Sequence, residues 1–461
     1  MIKKKIAIFT LAMMNVAAVG SIRNWPMLAE YGLCSLFYFV LAVLIFFLPV
    51  SLVSAELATG WPQQGGMFLW IKEAFGYRWG CLAVWLLWFE SIIWYPILLS
   101  FISATFFYIF QPSLTSNENK ICILLISVIL FWLMTWINLK GIKVSGKVSI
   151  FGVIFGNFLP AVALITLSGI CFFLAKTAPV TLNWNTLLPQ QLDWKQLSIF
   201  SGILLSLCGI EISSIHASDV DNPKRSYPRA ILLSTLLIVS LSLLGMISIV
   251  LVVPGETINL AAGSMQAFAA LVEICCLPKS IPVMAFLIFV GALASLSTWI
   301  VGPCRAVFTM AEKEGLPQIF TKLNRHEMPS FLLIVQGIAV TFLNSIFLFM
   351  PTINSAYWIL TVLAVQAYLI MYIFMFAAAV KLRYTHAHLV RGYQIPGKKI
   401  GVWSVSGIGI VSCLGCFILS FIPPIQISFL NPSEYILLLI IGMVLIYTIP
   451  AFLFSSMKRS I

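Results

Sequence analysis

Two short stretches set glycine beside a charge in surroundings that are otherwise apolar: Val19-Gly20-Ser21-Ile22-Arg23-Asn24-Trp25-Pro26 and Leu207-Cys208-Gly209-Ile210-Glu211-Ile212-Ser213. Glycine weakens a helix through its backbone freedom and proline removes a donor, so both runs are expected to unwind there. Backbone N–H and C=O groups freed in an apolar interior persist only where protein or a water-filled cavity satisfies them, so a break marks a cavity. The charges sharpen this, because an Arg or an acidic residue near the middle of a membrane helix costs roughly 2.5–3.5 kcal/mol and normally faces a partner or a pathway. The chemistry open to such a pair of breaks is the binding of a small solute that carries both charges. Half-helix N-termini attract anions and C-terminal carbonyls attract cations. A carboxylate then belongs against the amides of Gly20, Ser21, Ile22 and Arg23, and an ammonium against the carbonyls of Cys208, Gly209, Ile210 and Glu211. Arg23 has a second reading, as a structural lock paired with Glu211, and the residues alone leave both open. Glu90 is a further candidate within a span, whereas Glu30 and Glu56 are expected near interfaces.

The elements that must hold these residues follow from composition. Of 461 residues, 61% are hydrophobic and 9% charged, against roughly 25% charged in an ordinary soluble domain. Hydropathy places twelve spans, at about 6–34, 36–58, 79–110, 121–139, 148–175, 196–218, 230–253, 283–311, 331–350, 355–380, 403–422 and 434–455, each long enough for a hydrocarbon core of about 30 Å. The expected fold is therefore an all-α polytopic membrane protein. The two breaks fall in the first and sixth spans, five apart, as two inverted five-helix repeats require. The chain divides on that reading into a first repeat, 1–175, a second, 196–382, and two additional helices, 403–455, all within one membrane domain, 1–461. Nucleic-acid binding, a secreted disulfide scaffold and an outer-membrane barrel are excluded, the last because no run alternates over about 10 positions.

Of the 27 Lys and Arg, 21 fall in the segments that are cytoplasmic if the N-terminus is inside. Four lie opposite, Lys120, Lys176, Lys195 and Lys279, while Arg23 and Arg305 fall within spans. That bias puts both ends in the cytoplasm. Residues 1–18 imitate a secretory signal peptide, but removing the first span would leave an odd number and spoil the bias. Most of the ten cysteines sit within spans as small apolar residues. Cys413 and Cys416 form a lone CxxC and His386 and His388 lie in a basic loop, so neither pair reads as a metal site, and no cofactor is expected. The connections at 59–78, 254–282 and 312–330 each contain an apolar stretch suited to a short helix along the membrane surface. An intramembrane enzyme would need a catalytic set such as HExxH or GxSxG, and a channel a repeated pore motif; the sequence shows neither.

Five stretches carry a resemblance: ELATGWPQQGGMFLWIKEAFG (56–76), CGIEISSIHASDVDNPKRSYPRA (208–230), VVPGETINLAAGSMQAF (252–268), STWIVGPCRAVFTMAEKEGLP (297–317) and YQIPGKK (393–399). In order and over nearly the whole chain they resemble the bacterial glutamate/GABA antiporter family of the amino acid, polyamine and organocation superfamily. The resemblance implies the leucine-transporter-like inverted repeat with ten core helices plus two, in a bacterial inner membrane, with exchange or proton-coupled movement of amino acids. It implies that Glu211 occupies the place of an acidic residue linked to gating and proton sensitivity. Trp299 matches a substrate-facing tryptophan of the eighth span, and Tyr368 and Tyr372 match a tyrosine pair of the tenth. Such aromatic faces close over a small substrate, attract its ammonium and exclude water. Two positions depart from the family pattern: Arg23 stands where a tyrosine is expected, and Ser295 where an acid is expected one turn before the tryptophan. Exchanging an aromatic for a fixed cation and removing a carboxylate should change the preferred side chain. The short tail after residue 454 also leaves no room for the C-terminal plug of acid-resistance members.

Overall fold

The computed structural model describes residues 7–62, 66–110, 119–141, 154–174, 184–189, 194–220, 222–314, 318–427 and 430–455. Among the described residues, ten helices are long and apolar enough to cross a membrane: Gly32–Gly60, Tyr77–Phe110, Lys120–Leu139, Phe155–Phe173, Pro223–Val250, Pro278–Glu312, Ser330–Phe349, Ile353–Thr385, Lys398–Leu419 and Pro432–Pro450. The first and sixth spans complete the expected twelve, and both are broken. In the first, helix Ile8–Val19 gives way at Gly20 and Ser21 to a 3-10 turn, Ile22–Asn24, and a second short helix, Trp25–Ala29. In the sixth, helix Ile199–Leu207 stops at an extended Cys208. Gly209 then takes φ +112, open to glycine at little cost, and a 3-10 helix runs over Ile210–Asp219.

The described span limits agree within five residues, as at Ala29, Thr385 and Lys398, except at the seventh, which starts at Pro223 rather than near 230. The polar run there lowers hydropathy without disfavouring helix, and Pro223 takes the first-turn position where its missing N–H costs nothing. Of the three longer connections, two hold the expected helices, Met67–Phe75 and Gly263–Ile274. The third does not: the eighth helix itself runs on to Glu314, and only a 3-10 turn, Gln318–Thr321, follows among the described residues. The expected first residue of the first span, the opening of the fifth, at 148–153, and the tail beyond Ser455 lie outside the described residues.

The third and tenth spans are buried along most of their length and form the centre. The third packs against both the eighth and the tenth. Two π-turns, Val43–Phe47 and Ile154–Phe158, each end two residues before a proline, Pro49 and Pro160, whose missing donor loosens the preceding turn. Close approach of the seventh span to the first depends on Gly245, where a Cβ would fall 2.2 Å from the ring of buried Trp25. Glu56 closes the end of the second span on the tenth–eleventh connection. It meets Arg383 at 2.5 Å and Arg391 at 3.5 Å, and accepts from the Ile395 amide at 2.8 Å. Cys413 and Cys416 are buried packing residues on the eleventh span, with the Cys416 Sγ 4.0 Å from Ser201 Oγ.

Candidate functional site between the two broken helices

Several backbone groups freed at the breaks are met by side chains from distant parts of the chain. Asn157, within the π-turn of the fifth span, spans the first break: its Oδ1 accepts from the Ile22 amide at 3.3 Å and its Nδ2 donates to Gly20 O at 3.4 Å. Asn24 joins the two breaks, donating to Val19 O and to Ser206 O, both at 3.4 Å. Those carbonyls are the C-terminal ends of the two leading half-helices. Ser264, at the start of helix Gly263–Ile274, donates to Ile22 O at 2.7 Å. Across the site Tyr372 Oη accepts from the Gly209 amide at 3.0 Å. Side chains thus supply part of the hydrogen bonding that an apolar interior demands at these breaks.

Glu211 lies buried on the far side of the second break. Tyr372 donates to its Oε2 at 2.7 Å and Tyr368 to its Oε1 at 3.2 Å, with the two phenol rings stacked at 5.1 Å. A continuous path therefore runs from the Gly209 amide through Tyr372 to the carboxylate. Arg23 stands elsewhere: its guanidinium lies 4.8 Å from the centre of the Trp94 ring, and its Nη1 reaches Tyr357 Oη only at 3.5 Å. Its Nε is buried without a hydrogen-bond partner. Trp94 in turn meets Trp299 at 5.3 Å, and Trp299 lies beside Gly209. Trp299 is held by Tyr95, which donates to its carbonyl at 2.8 Å. Contacts run from Arg23 through the two indoles to Gly209, and no ion pair joins Arg23 to Glu211 among the described residues. Glu90, buried one turn before Trp94, is close enough to feel both charges.

A small cavity of about 20 Å³ lies beside the first break, lined by Ser21, Ile22, Asn157, Gly291 and Ser295 among others. That volume suits a water or two rather than an organic solute. The amides of residues 20–23, expected to face a carboxylate, all have internal partners in this conformation: Val16 O, Val19 O, Asn157 Oδ1 and Ser21 Oγ. The last two bonds are long, 3.3 and 3.4 Å, and correspondingly weak.

The amino acid permease family model matches residues 6–446 of the chain. The chain belongs to the amino acid permease family. The permease is 41% identical to an uncharacterized transporter, lpg1691, of Legionella pneumophila, over 97% of this chain and 96% of that one. It is 31% identical to a glutamate/gamma-aminobutyrate antiporter of Lactococcus lactis subsp. lactis, over 97% and 90%. Among solved structures it shares its fold with MhsT in complex with L-phenylalanine, at a TM-score of 0.60 and 16% identity, covering 90% of this chain and 98% of that one. The permease is accordingly a secondary amino acid transporter with the leucine-transporter-like fold, and neither the channel nor the enzyme reading finds support.

Of the sequence-derived candidates, the permease brings Gly209, Glu211, Trp299, Tyr368 and Tyr372 into one cluster, with Cys208 and Ile210 buried in the backbone beside it. Arg23 reaches that cluster only through the two indoles. Ser21 and Ile22 line the small cavity beside the first break instead, and Gly20 is held there by Asn157. Sequence reading missed Asn24, Trp94, Asn157, Ser264 and Tyr357. Two of these left a signal: Trp94 is four residues after Glu90 and shares its helix face, and Tyr357 precedes Tyr368 by 11 residues, three helical turns. Asn157 supplies two bonds to the first break, each worth about 0.5–1.5 kcal/mol. Asn157→Ala is expected to lower transport on the order of tenfold while the purified variant keeps its elution profile in detergent, because losing about 1.4 kcal/mol cuts the binding-competent population by that factor. Uptake equal to that of the parent would show that the break holds its shape without the clamp.

Proposed function

We propose that this permease carries zwitterionic amino acids by alternating access across the inner membrane of a bacterium, by exchange or with proton coupling, with both termini in the cytoplasm. The proposal includes two inverted repeats, 1–175 and 196–382, followed by the two extra helices of 403–455. The substrate sits between the breaks, with its ammonium toward the carbonyls near Cys208–Glu211 and over the indole of Trp299, its α-carboxylate toward the amides of residues 20–23, and the carboxylate of an acidic side chain toward the Arg23 guanidinium. Glu211 is the proton-sensitive gating group. Substrate exchange is in keeping with the antiporters named among the relatives. The observation that carries this reading is the separation of charges: a buried guanidinium with no ion-pair partner among the described residues at one break and a tyrosine-held carboxylate at the other, with aromatic faces beside both. A solute bearing both charges complements that arrangement.

The decisive experiment is uptake of labelled amino acids into proteoliposomes, with and without internal amino acid. Exchange requires strong stimulation by internal substrate, whereas proton symport requires a pH gradient and no internal substrate. In the same assay Trp299→Ala is expected to weaken apparent affinity by roughly 1 kcal/mol, about fivefold, through loss of the cation–π face. An unaltered concentration for half-maximal uptake would place that ring off the substrate path.

A further inference from the structure

Cys171, near the end of the fifth span, and Cys275, just after helix Gly263–Ile274, place their sulfurs 3.4 Å apart. Cys171 is buried, Cys275 is partly exposed and neighbouring Cys276 is exposed. We propose that Cys171 and Cys275 are an oxidation site on the outward face, closed to a disulfide by exchange with a disulfide of the exterior compartment. The outward placement rests on the topology proposed above, which puts Lys279 and this connection outside.

The geometry is close to what the bond needs, since a disulfide at about 2.05 Å requires the sulfurs to approach by roughly 1.3 Å, within reach of side-chain rotation. The reaction is ordinary thiol–disulfide exchange. The accessible Cys275 thiolate attacks the external disulfide and expels one thiolate. Cys171 then attacks the mixed disulfide and expels the second. The two protein thiols are oxidised, the external disulfide is reduced, and the two protons leave on the released thiols.

The position of this pair gives the bond a consequence for transport. The first residues of helix Gly263–Ile274 press on the first break, where Ser264 holds Ile22 O and a Cβ on Gly263 would come within 2.7 Å of Pro26. The fifth span grips the same break through Asn157. A Cys171–Cys275 bond therefore ties together two elements that hold the first break from different directions. An outward-opening movement that parts them is resisted, since closure and opening of such caps commonly set turnover.

The test uses cells expressing the full chain, reduced first and then exposed to membrane-impermeant oxidised glutathione, followed by peptide mapping by mass spectrometry. A Cys171–Cys275 linked peptide that dithiothreitol removes is expected. Transport is expected to fall several-fold on oxidation and to recover on reduction, with Cys171→Ser and Cys275→Ser indifferent to the treatment and Cys276→Ser still sensitive. Oxidation that stops at a glutathione adduct, or links Cys275 only to Cys276, would overturn the site. A link formed only by membrane-permeant dipyridyl disulfide would overturn its outward placement. A link that leaves transport unchanged would overturn its restraint on the break. Because the link is read by mass, it is detected whatever the substrate proves to be, so a failure of the transport reading remains separate.

Discussion

Glu211→Gln is expected to yield a folded permease whose transport rate no longer varies with pH. The variant keeps the shape of the side chain and an oxygen to accept from one tyrosine, and its amide can donate to the other, so the packing around Tyr368 and Tyr372 survives. What it lacks is a titratable proton. Where a single carboxylate governs a step, the fraction in the active form changes up to about tenfold per pH unit on one limb of the profile. Glutamine imitates the protonated, uncharged form, which fixes the sign. The variant should run at every pH at the rate that the parent shows on its acid limb, and should exceed or trail the parent at high pH according to which form the parent needs. Exchange measured in proteoliposomes with the same buffer on both faces, over a series of pH values, provides the check. A variant that keeps the parental slope would move the titrating role to another group, and Glu90 is the next to examine because it is buried within electrostatic reach of both Arg23 and Glu211.

The breaks themselves were legible because their causes are local. Gly20 and Gly209 sit next to the charges that made the stretches conspicuous, and Gly209 adopts a φ that few other residues take readily. Span number followed for a similar reason, since about twenty apolar residues suffice to cross a bilayer whatever they pack against. What satisfies the breaks was not legible. Asn157 and Ser264 reach the first break across 135 and 242 residues of chain, and nothing in their own surroundings distinguishes them from polar residues tucked into a helix. The relation of Arg23 to Glu211 was left open in the sequence for another reason. Sequence fixes depth along a helix well, but its angular position only while the helix is continuous. Both residues lie just past a break, where the 3.6-residue phase is lost. Similar depth allowed a pair, whereas Arg23 packs on Trp94, which in turn meets Trp299.

Removing the guanidinium altogether should therefore change which amino acids are carried. Arg23 is 6% exposed, its Nε has no partner, and its contact with Tyr357 is at the limit of a hydrogen bond. A buried cation set against an aromatic face and a distant hydroxyl has donor capacity left over, and a carboxylate arriving with the substrate would use it through the planar fork that arginine presents. A charge-assisted bond of this kind contributes about 1.5–3 kcal/mol, or roughly 10- to 100-fold in affinity. Arg23→Ala is accordingly expected to lose substrates with a side-chain carboxylate by that factor in competition assays against a labelled neutral amino acid, while neutral substrates fall much less. Arg23→Lys keeps the charge but neither the fork nor the stacking on Trp94, and should recover only part of the acidic preference. An equal loss across acidic and neutral amino acids, accompanied by a lower melting temperature, would instead make the residue a support for the Trp94–Trp299 wall, and the site's discrimination would then have to come from Ser21, Asn157 and Ser295 around the small cavity beside the first break.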